Sequence, residues 1–375
     1  MTISLYFDKN IPLKYYENLS NDFEILFECK ELSKISDITY TSLIKIIKNF
    51  KTSAKKVLSA DIFIRECEFD AKTKLLTKEF LSLFDAIRIE DIGLSYFLKE
   101  KFPKYKLQII LEHFCHNKNA INEIRKIFSP SLEKIIVSLE LEFNTIKELV
   151  KNKINVEATL LADILIFQTP RKLLLNASFG RTFNTSFNTS FKTSFLTSKE
   201  LPEHKNLRYI CNENGSFIFY KEPFNIIRDY KKLKKSGIKN FKLDFKFSSK
   251  DEKIEILKFL QTNSNLEKLT INKPYNPIFF YENDSDALFE NLKKKSFSSL
   301  PNAEVIATIS GKYAVIWTYK DFCPTEISYK AGDKTTLKGT LTAFNIEDKL
   351  VKKLKKNNIY YIKWLKKICV GSVIN

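Results

Sequence analysis

Four potential metal donors fall within five positions, at Glu112, His113, Cys115 and His116. Carboxylate oxygen, imidazole nitrogen and thiolate sulfur all bind zinc, and a metal there would polarise a carbonyl or ionise a water. The cluster ends a strand-like run, Leu107–Leu111. Side chains on a strand alternate faces, so His113 and Cys115 point one way and Glu112 and His116 do not simply join them. A site would need another ligand from elsewhere, such as Glu140 or Asp244. The expectation is therefore no metal, with these residues as ordinary loop positions. No G-x-S-x-G elbow, H-E-x-x-H, P-loop or Ser–His–Asp pattern is present, so no familiar motif supplies a nucleophile or a metal. Near the C-terminus, Lys352, Lys353, Lys355 and Lys356 are followed by Tyr360, Tyr361, Lys363, Trp364, Lys366 and Lys367. Lysines facing phosphates and rings stacking on unpaired bases are what RNA binding requires. A solvated helix face followed by a half-buried strand would read the same way.

Composition limits the partners less than it first suggests. Sixty-two basic residues against 44 acidic ones leave a formal charge of +18, and clustered lysines release counterions from phosphates. Only seven of the 62 are arginine, the residue suited to bidentate phosphate recognition. The richness in Ile, Asn, Phe and Tyr is what AT-rich codons favour, and such a bias raises Lys without selecting a partner. The six cysteines are scattered with no CxxC pair, which argues for reduced thiols in a cytoplasm. No run of about 18 apolar residues is present to span a membrane, and the start MTISLYFDKN carries no signal-peptide pattern.

The elements that must position these residues alternate. Ile3–Phe7, Phe23–Phe27, Asp61–Arg65, Ala86–Ile89, Leu107–Leu111 and Lys134–Leu139 have the length and apolarity of buried parallel strands. Amphipathic stretches such as Leu94–Lys101 and Ile121–Phe128 lie between them. This alternation implies βαβ units with right-handed crossovers, in a barrel or a doubly wound sheet. Residues 179–198 break the pattern: Phe179, Phe183, Phe187, Phe191 and Phe195 recur every four positions among Asn, Thr and Ser. With only Arg181 and Lys192 for charge, the segment reads as a low-complexity surface loop rather than a base-stacking platform. The pattern resumes with a helix at Ile226–Ser236 stopped by Gly237 and a strand at Asn240–Phe245. A helix at Glu252–Leu260 and a strand at Leu266–Ile271 follow. From about residue 299 the chain turns to short alternating strands. Glu304–Ile309 and Tyr313–Tyr319 form a hairpin, and Thr335–Phe344 and Asn358–Ile362 add to a small β-barrel-like domain.

Three ordered stretches resemble peptidase family U32, the collagenase-like peptidases. In FDAIRIEDIGLSYFLKEKFPKYKLQIILEHFCHN (84–117), Asp85, Asp91 and Gly93 fall on the family's DA–apolar–apolar–x–D–x–G pattern. KIIVSLELEFNTIKEL (134–149) is similar to VVLSRELSLEEI, with Glu140 on its Glu. SGIKNFKLDFKF (236–247) is similar to AGVDSLKIEGR, with Lys242 retained and Asp244 for Glu. The later segments LTINKPYNPIFF, AEVIATISGKYAVIWTYK and VGSVIN resemble the family's RPYTxGF and the opening and closing of its β domain. The resemblance implies a TIM-like barrel, complete or incomplete, over residues 1–298, with its site at the C-terminal strand ends, and a small β domain over 299–375. Members with that β domain resemble the prephenate-dependent tRNA uridine hydroxylases, which implies tRNA and a small carboxylic acid as partners. It also implies Glu140, Lys242 and Asp244 as catalytic candidates, and Lys246, Arg171 and Glu112 for substrate. The lysine and aromatic run, through Lys352, Lys353, Lys355, Lys356, Trp364, Lys366 and Lys367, would then touch RNA.

Several positions depart from the family. Where its cysteine-rich segment belongs, this chain reads TPRKLLLNASFGRTFNTSF, and no cysteine lies between Cys115 and Cys211. A four-iron cluster needs four converging thiolates, so the relatives' iron–sulfur cluster is expected to be absent, and no cofactor is expected. Leu139 stands for an Arg, and Asp244-Phe245-Lys246 stand for EGR, without the guanidinium fork. Three readings follow: an RNA-modification enzyme, a non-catalytic binding module on the same fold, and a peptidase.

Overall fold

The structure, a computed structural model, describes residues 2–112, 117–171, 193–196, 207–262, 265–271, 273–278, 280–281, 302–309, 313–323, 327–330, 336–339, 342–344, 350–356, 358–363 and 373–374. The chain divides into two units, 1–284 and 285–375. The boundary expected at 298/299 falls outside the described residues.

In the first unit, seven apolar runs form strands β1 (Thr2–Tyr6), β2 (Phe23–Glu28), β3 (Lys55–Ala60), β4 (Ala86–Ile89), β5 (Leu107–Leu111), β6 (Leu132–Val137) and β7 (Val156–Ala162). After β7 an insertion of β8 (Leu165–Thr169), β9 (Thr193–Leu196), β10 (Leu207–Asn212), β11 (Gly215–Phe219) and β12 (Phe224–Asn225) precedes β13 (Asn240–Leu243). Strands β1 to β7 pair in parallel order, and β13 pairs in parallel with both β7 and β1. Eight parallel strands therefore close on themselves, and the barrel is complete.

Helices α1 (Lys14–Glu17), α2 (Tyr40–Asn49), α3 (Glu66–Leu75), α4 (Lys78–Leu81), α5 (Ile92–Lys101), α6 (Lys118–Phe128), α7 (Phe143–Lys151), α8 (Tyr230–Lys235) and α9 (Lys250–Thr262) lie between or after these strands. Their starts are written in the sequence. Thr39, Thr77, Asp91 and Asn117 each accept a bond from an amide in the first turn of α2, α4, α5 and α6, the standard way to satisfy those donors. Asp91 of the DAIRIEDIG stretch thus begins a helix, and Asp85 accepts from the Lys56 amide at 2.8 Å. Outward strand residues such as Ile3, Leu5, Ile25, Phe27, Ile87 and Ile89 meet helix residues such as Leu43, Leu94 and Leu98 in the main core.

The barrel interior is layered. Near the N-terminal ends, Ser4, Glu24, Arg88, Gln108, Lys134 and Glu157 come from six strands and bond to one another. Arg88 Nη1 donates to Glu157 Oε1 at 2.8 Å, Lys134 Nζ to Glu24 Oε2 at 2.6 Å, and Ser4 Oγ to Glu157 Oε2 at 2.7 Å. Two cations balance two carboxylates, so the layer is buried without net charge. Burial works against ionising Glu24 and Glu157, but Lys134 and Arg88 outweigh it and hold both below the ordinary carboxylate value. Leu26, Val57 and Ala86 pack with Tyr6 in a separate apolar cluster.

Three expected elements moved. The third strand is β3 at Lys55–Ala60, not Asp61–Arg65. Its opening lysines mask the apolar run, while Ile62 is buried from the loop that follows. Leu266–Ile271 holds a 3₁₀ turn at Leu266–Lys268 instead of a strand, because the Asn265 side chain accepts from the Glu267 amide. The helix expected at Ile226–Ser236 is a 3₁₀ turn at Ile227–Asp229 running into α8. Of the Phe-rich repeat only Thr193–Leu196 is among the described residues, as β9, antiparallel to β10.

The second unit is an antiparallel sheet. Its strands are β14 (Ala303–Ile309), β15 (Tyr313–Thr318), β16 (Ile327–Lys330), β17 (Thr336–Gly339), β18 (Ala343–Phe344), β19 (Leu350–Val351), β20 (Ile359–Lys363) and β21 (Val373–Ile374). The order is β17-β16-β21-β14-β15-β20-β18-β19. The expected hairpin is the β14–β15 pair, over a core that includes Val305, Ile316 and Ile362.

Candidate active site

Six barrel strands run out into a carboxylate directly after an apolar residue. These are Glu28 on β2, Asp61 after β3, Glu90 after β4, Glu112 after β5, Asp163 after β7 and Asp244 after β13. The apolar residue anchors the strand in the core, and the next position reaches the mouth with its charge. These C-terminal strand ends are where the fold places its chemistry.

Three lysines answer them. Lys34, from the loop after β2, pairs with Glu90; Lys242, on β13, pairs with Glu112; and Lys246 Nζ lies 2.8 Å from Glu28 Oε1. The Lys34 amide donates to Asp61 Oδ1 at 2.9 Å, and the Lys246 amide to Asp244 Oδ1 at 3.0 Å. The Lys246 ammonium also sits 4.1 Å from the centre of the Tyr6 ring. The inserted sheet β8-β11-β10-β9 adds Leu165 and Phe219 to the wall. Arg208 Nη1 on β10 donates to Asp163 Oδ1 at 3.2 Å.

Together these residues enclose a cavity of about 100 Å³ lined by Tyr6, Lys34, Asp61, Glu112, Ser138, Glu140, Asp163, Lys242, Asp244 and Lys246, among others. That is room for several waters or one small group, not for a peptide in extended form. Behind the cavity wall, at Glu28 and Glu90, which pair with lining lysines but do not line the cavity themselves, burial dominates the electrostatics. It lifts Glu28 to about 8, only partly offset by Lys246 and reinforced by Asp61 and Asp244. It lifts Glu90 to about 7, offset by Lys34. Asp163 is also raised by burial, against the pull of Lys273 and Arg208. For Lys34 and Lys246 burial acts downward, but the neighbouring carboxylates win and raise both. Carboxyls raised toward neutrality beside ammonium groups that line the cavity mark this end of the barrel as the place for acid–base chemistry.

Glu112, Glu140, Lys242, Asp244 and Lys246, expected at the site, all line this cavity. Arg171 does not: it is exposed just after β8, where its amide donates to Thr169 Oγ1 at 3.3 Å. His113, Cys115 and His116 lie outside the described residues. Lys352, Lys353, Lys355 and Lys356 are exposed in the second unit, and Trp364, Lys366 and Lys367 lie outside the described residues. Lys34, Glu28, Asp61, Glu90 and Asp163 were not anticipated. A carboxylate following an apolar strand run, repeated six times, was the signal that could have found the four carboxylates.

Among the described residues no group of three His, Cys, Asp or Glu side chains could hold a metal. Cys29 is buried with its thiol pushed up to about 12 by burial, Cys67 is exposed on α3, Cys211 lies on β10, and Cys323 belongs to the second unit. A cluster ligand must be a thiolate, and burial opposes that state at Cys29.

A closed (β/α)8 barrel with an ionised cavity at its C-terminal mouth is the frame of many enzymes. This chain belongs to peptidase family U32, whose model matches residues 31–274. No curated protein matches it. Among solved structures, chitinase ChiW from Paenibacillus sp. str. FPU-7, a bacterial cell-surface-expressed multi-modular enzyme, is similar at 11% identity with a TM-score of 0.30. The alignment covers 100% of this chain and 52% of that one, a likeness too low to carry an argument.

Proposed function

We propose that this chain is an RNA-modifying enzyme that acts on a uridine of tRNA, with acid–base chemistry at the barrel mouth. The supporting observation is the ring of strand-end carboxylates and lysines around one small cavity. Holding Glu28 and Glu90 in burial costs free energy that a mere scaffold does not need. The edge of a uracil ring offers an N–H donor, and the carboxylates lining this cavity accept it. A peptide would find neither room nor an evident nucleophile among the described residues. A small carboxylic acid enters as co-substrate by displacing Glu112 from Lys242. Of the three paired carboxylates Glu112 is the most accessible, its side chain 21% exposed against 6% for Glu28 and 0% for Glu90.

Deleting the gene in its host and digesting total tRNA for nucleoside mass spectrometry tests this. The expected result is loss of one modified tRNA uridine, restored by the wild type and not by Lys242→Ala. An unchanged nucleoside profile would leave a binding module on the same fold. The donor set also leads us to expect purified protein without an iron–sulfur cluster; a brown preparation holding about four irons per chain would overturn that.

A further inference from the structure

Beside the mouth cavity lies a larger groove of about 690 Å³, within the usual range for ligand sites. One wall is the turn Phe245–Ser249 that carries β13 into α9. The opposite walls are the segments after β1, with Asp8, Lys9 and Asn10, and after β2, with Ser36, Asp37 and Ile38. Tyr6, Ile35, Lys246 and Phe247 line both groove and cavity, so one ligand can reach from one to the other.

The turn holds two serines with different fates. Ser249 accepts from the Glu252 amide at 3.2 Å and completes the helix start. Ser248 also lines the groove, is only 7% exposed, and its hydroxyl makes no hydrogen bond. A buried hydroxyl left without a partner is costly. The Lys250 and Asp251 amides have no acceptor within α9, and its first turn carries partial positive charge. Three groove lysines are tied to carboxylates: Lys9 to Asp37 at 2.8 Å, Lys246 to Glu28 at 2.8 Å and Lys253 to Asp8 at 2.6 Å. Lys250 is exposed and has no carboxylate partner among the described residues. Asp251 and Glu252 do not line the groove.

We propose that this groove is a phosphate site, in which Ser248 Oγ, the first-turn amides of α9 and Lys250 hold the phosphate of a nucleotide whose base enters the adjoining cavity. A helix start with an orphaned hydroxyl and an uncommitted ammonium is anion-binding chemistry. The nucleotide rests on the RNA-modification reading above; the phosphate itself does not. An RNA backbone and a free nucleotide present the same group.

Calorimetric titration of the full chain with inorganic phosphate, uridine, uridine 5′-monophosphate and a short single-stranded oligouridylate separates the cases. The monophosphate is expected to bind about tenfold more tightly than uridine. Ser248→Ala and Lys250→Ala should each remove most of that advantage while leaving uridine binding unchanged and without lowering the melting temperature. A further gain for the oligonucleotide assigns the phosphate to an RNA strand, and a loss assigns it to a free nucleotide. No binding of any phosphate-bearing probe would overturn the site, as would a phosphate advantage that both variants keep. A phosphate site found alongside an unchanged tRNA profile would sink the RNA reading and leave the site standing.

Discussion

Glu28 takes its raised pKa of about 8 from burial against the ordinary 4.5, and this ties the site to stability. A carboxyl raised on folding keeps its proton longer in the folded chain. Its stabilising share is complete below about pH 4.5 and is lost as pH climbs through 8. Glu90, raised to about 7, acts in the same direction. Glu24 and Glu157, held below the ordinary value, act oppositely: their share is present above that value and fades as pH falls. Denaturant unfolding at pH 6 and pH 9 should therefore show the wild type weakening with rising pH. Glu28→Gln, which cannot ionise, should reduce that fall by about 1–3 kcal/mol. Equal falls in the two proteins would mean that Glu28 titrates as an ordinary carboxylate. At this scale Glu112, Glu140, Lys242, Asp244 and Lys246 were legible because the family resemblance marks them. Lys34 was not, since it lies in a loop whose path brings it back over the mouth from 56 residues before its partner Glu90. Chain separation of that kind leaves no local pattern in a sequence.

The inserted sheet is the element that shapes the mouth, and one glycine governs it. Gly215 opens β11 at φ +136°, and a Cβ there would meet the Thr169 carbonyl oxygen on β8 at 2.0 Å. Neither the backbone angle nor that contact admits a side chain. The same hairpin ties down the Lys34 loop: Asn212 donates to the Lys34 carbonyl, and Asn214 to those of Lys30 and Ser33, at 2.7 to 2.8 Å. Gly215→Ala should thus separate β8 from β11 and loosen Lys34 together. The expected cost is about 1–3 kcal/mol, confined to this region. Hydrogen exchange would show β8, β10 and β11 amides losing protection while β1 to β6 keep theirs; unchanged protection in the insert would refute the role. Barrel strands such as β4 and β5 were readable to the residue because apolar runs stop abruptly at charge. β3 was not, because it opens on Lys55, which bonds to Glu133 across the barrel end. Tertiary partners there override the local pattern.

Across the whole molecule the excess of 18 positive charges acquires meaning only where structure collects it. In the barrel unit many lysines are spent on carboxylates, as at the mouth and in the buried layer. In the second unit the turn between β19 and β20 does the opposite. Thr318 Oγ1 donates to the Lys355 carbonyl at 2.5 Å, the Lys356 amide donates to Asp321 Oδ1 at 2.7 Å, and the Tyr360 hydroxyl accepts from the Lys355 amide at 3.0 Å. The backbone is pinned, and Lys352, Lys353, Lys355 and Lys356 are left exposed on it. Tyr360 is buried, so it supports this turn and is not free to stack on a base. The sequence showed charge and rings interleaved but not that division of labour, which depends on which strand face is covered. If the turn meets phosphates, replacing the four lysines by alanine should weaken tRNA binding and flatten its salt dependence. Each phosphate contact removed lowers the slope of log K against log salt by about 0.7–0.9, so losing all four would change it by roughly 3. Filter binding between 50 and 200 mM salt reads this directly. An unchanged slope would return these lysines to compositional bias and leave RNA recognition, if present, to the groove at α9.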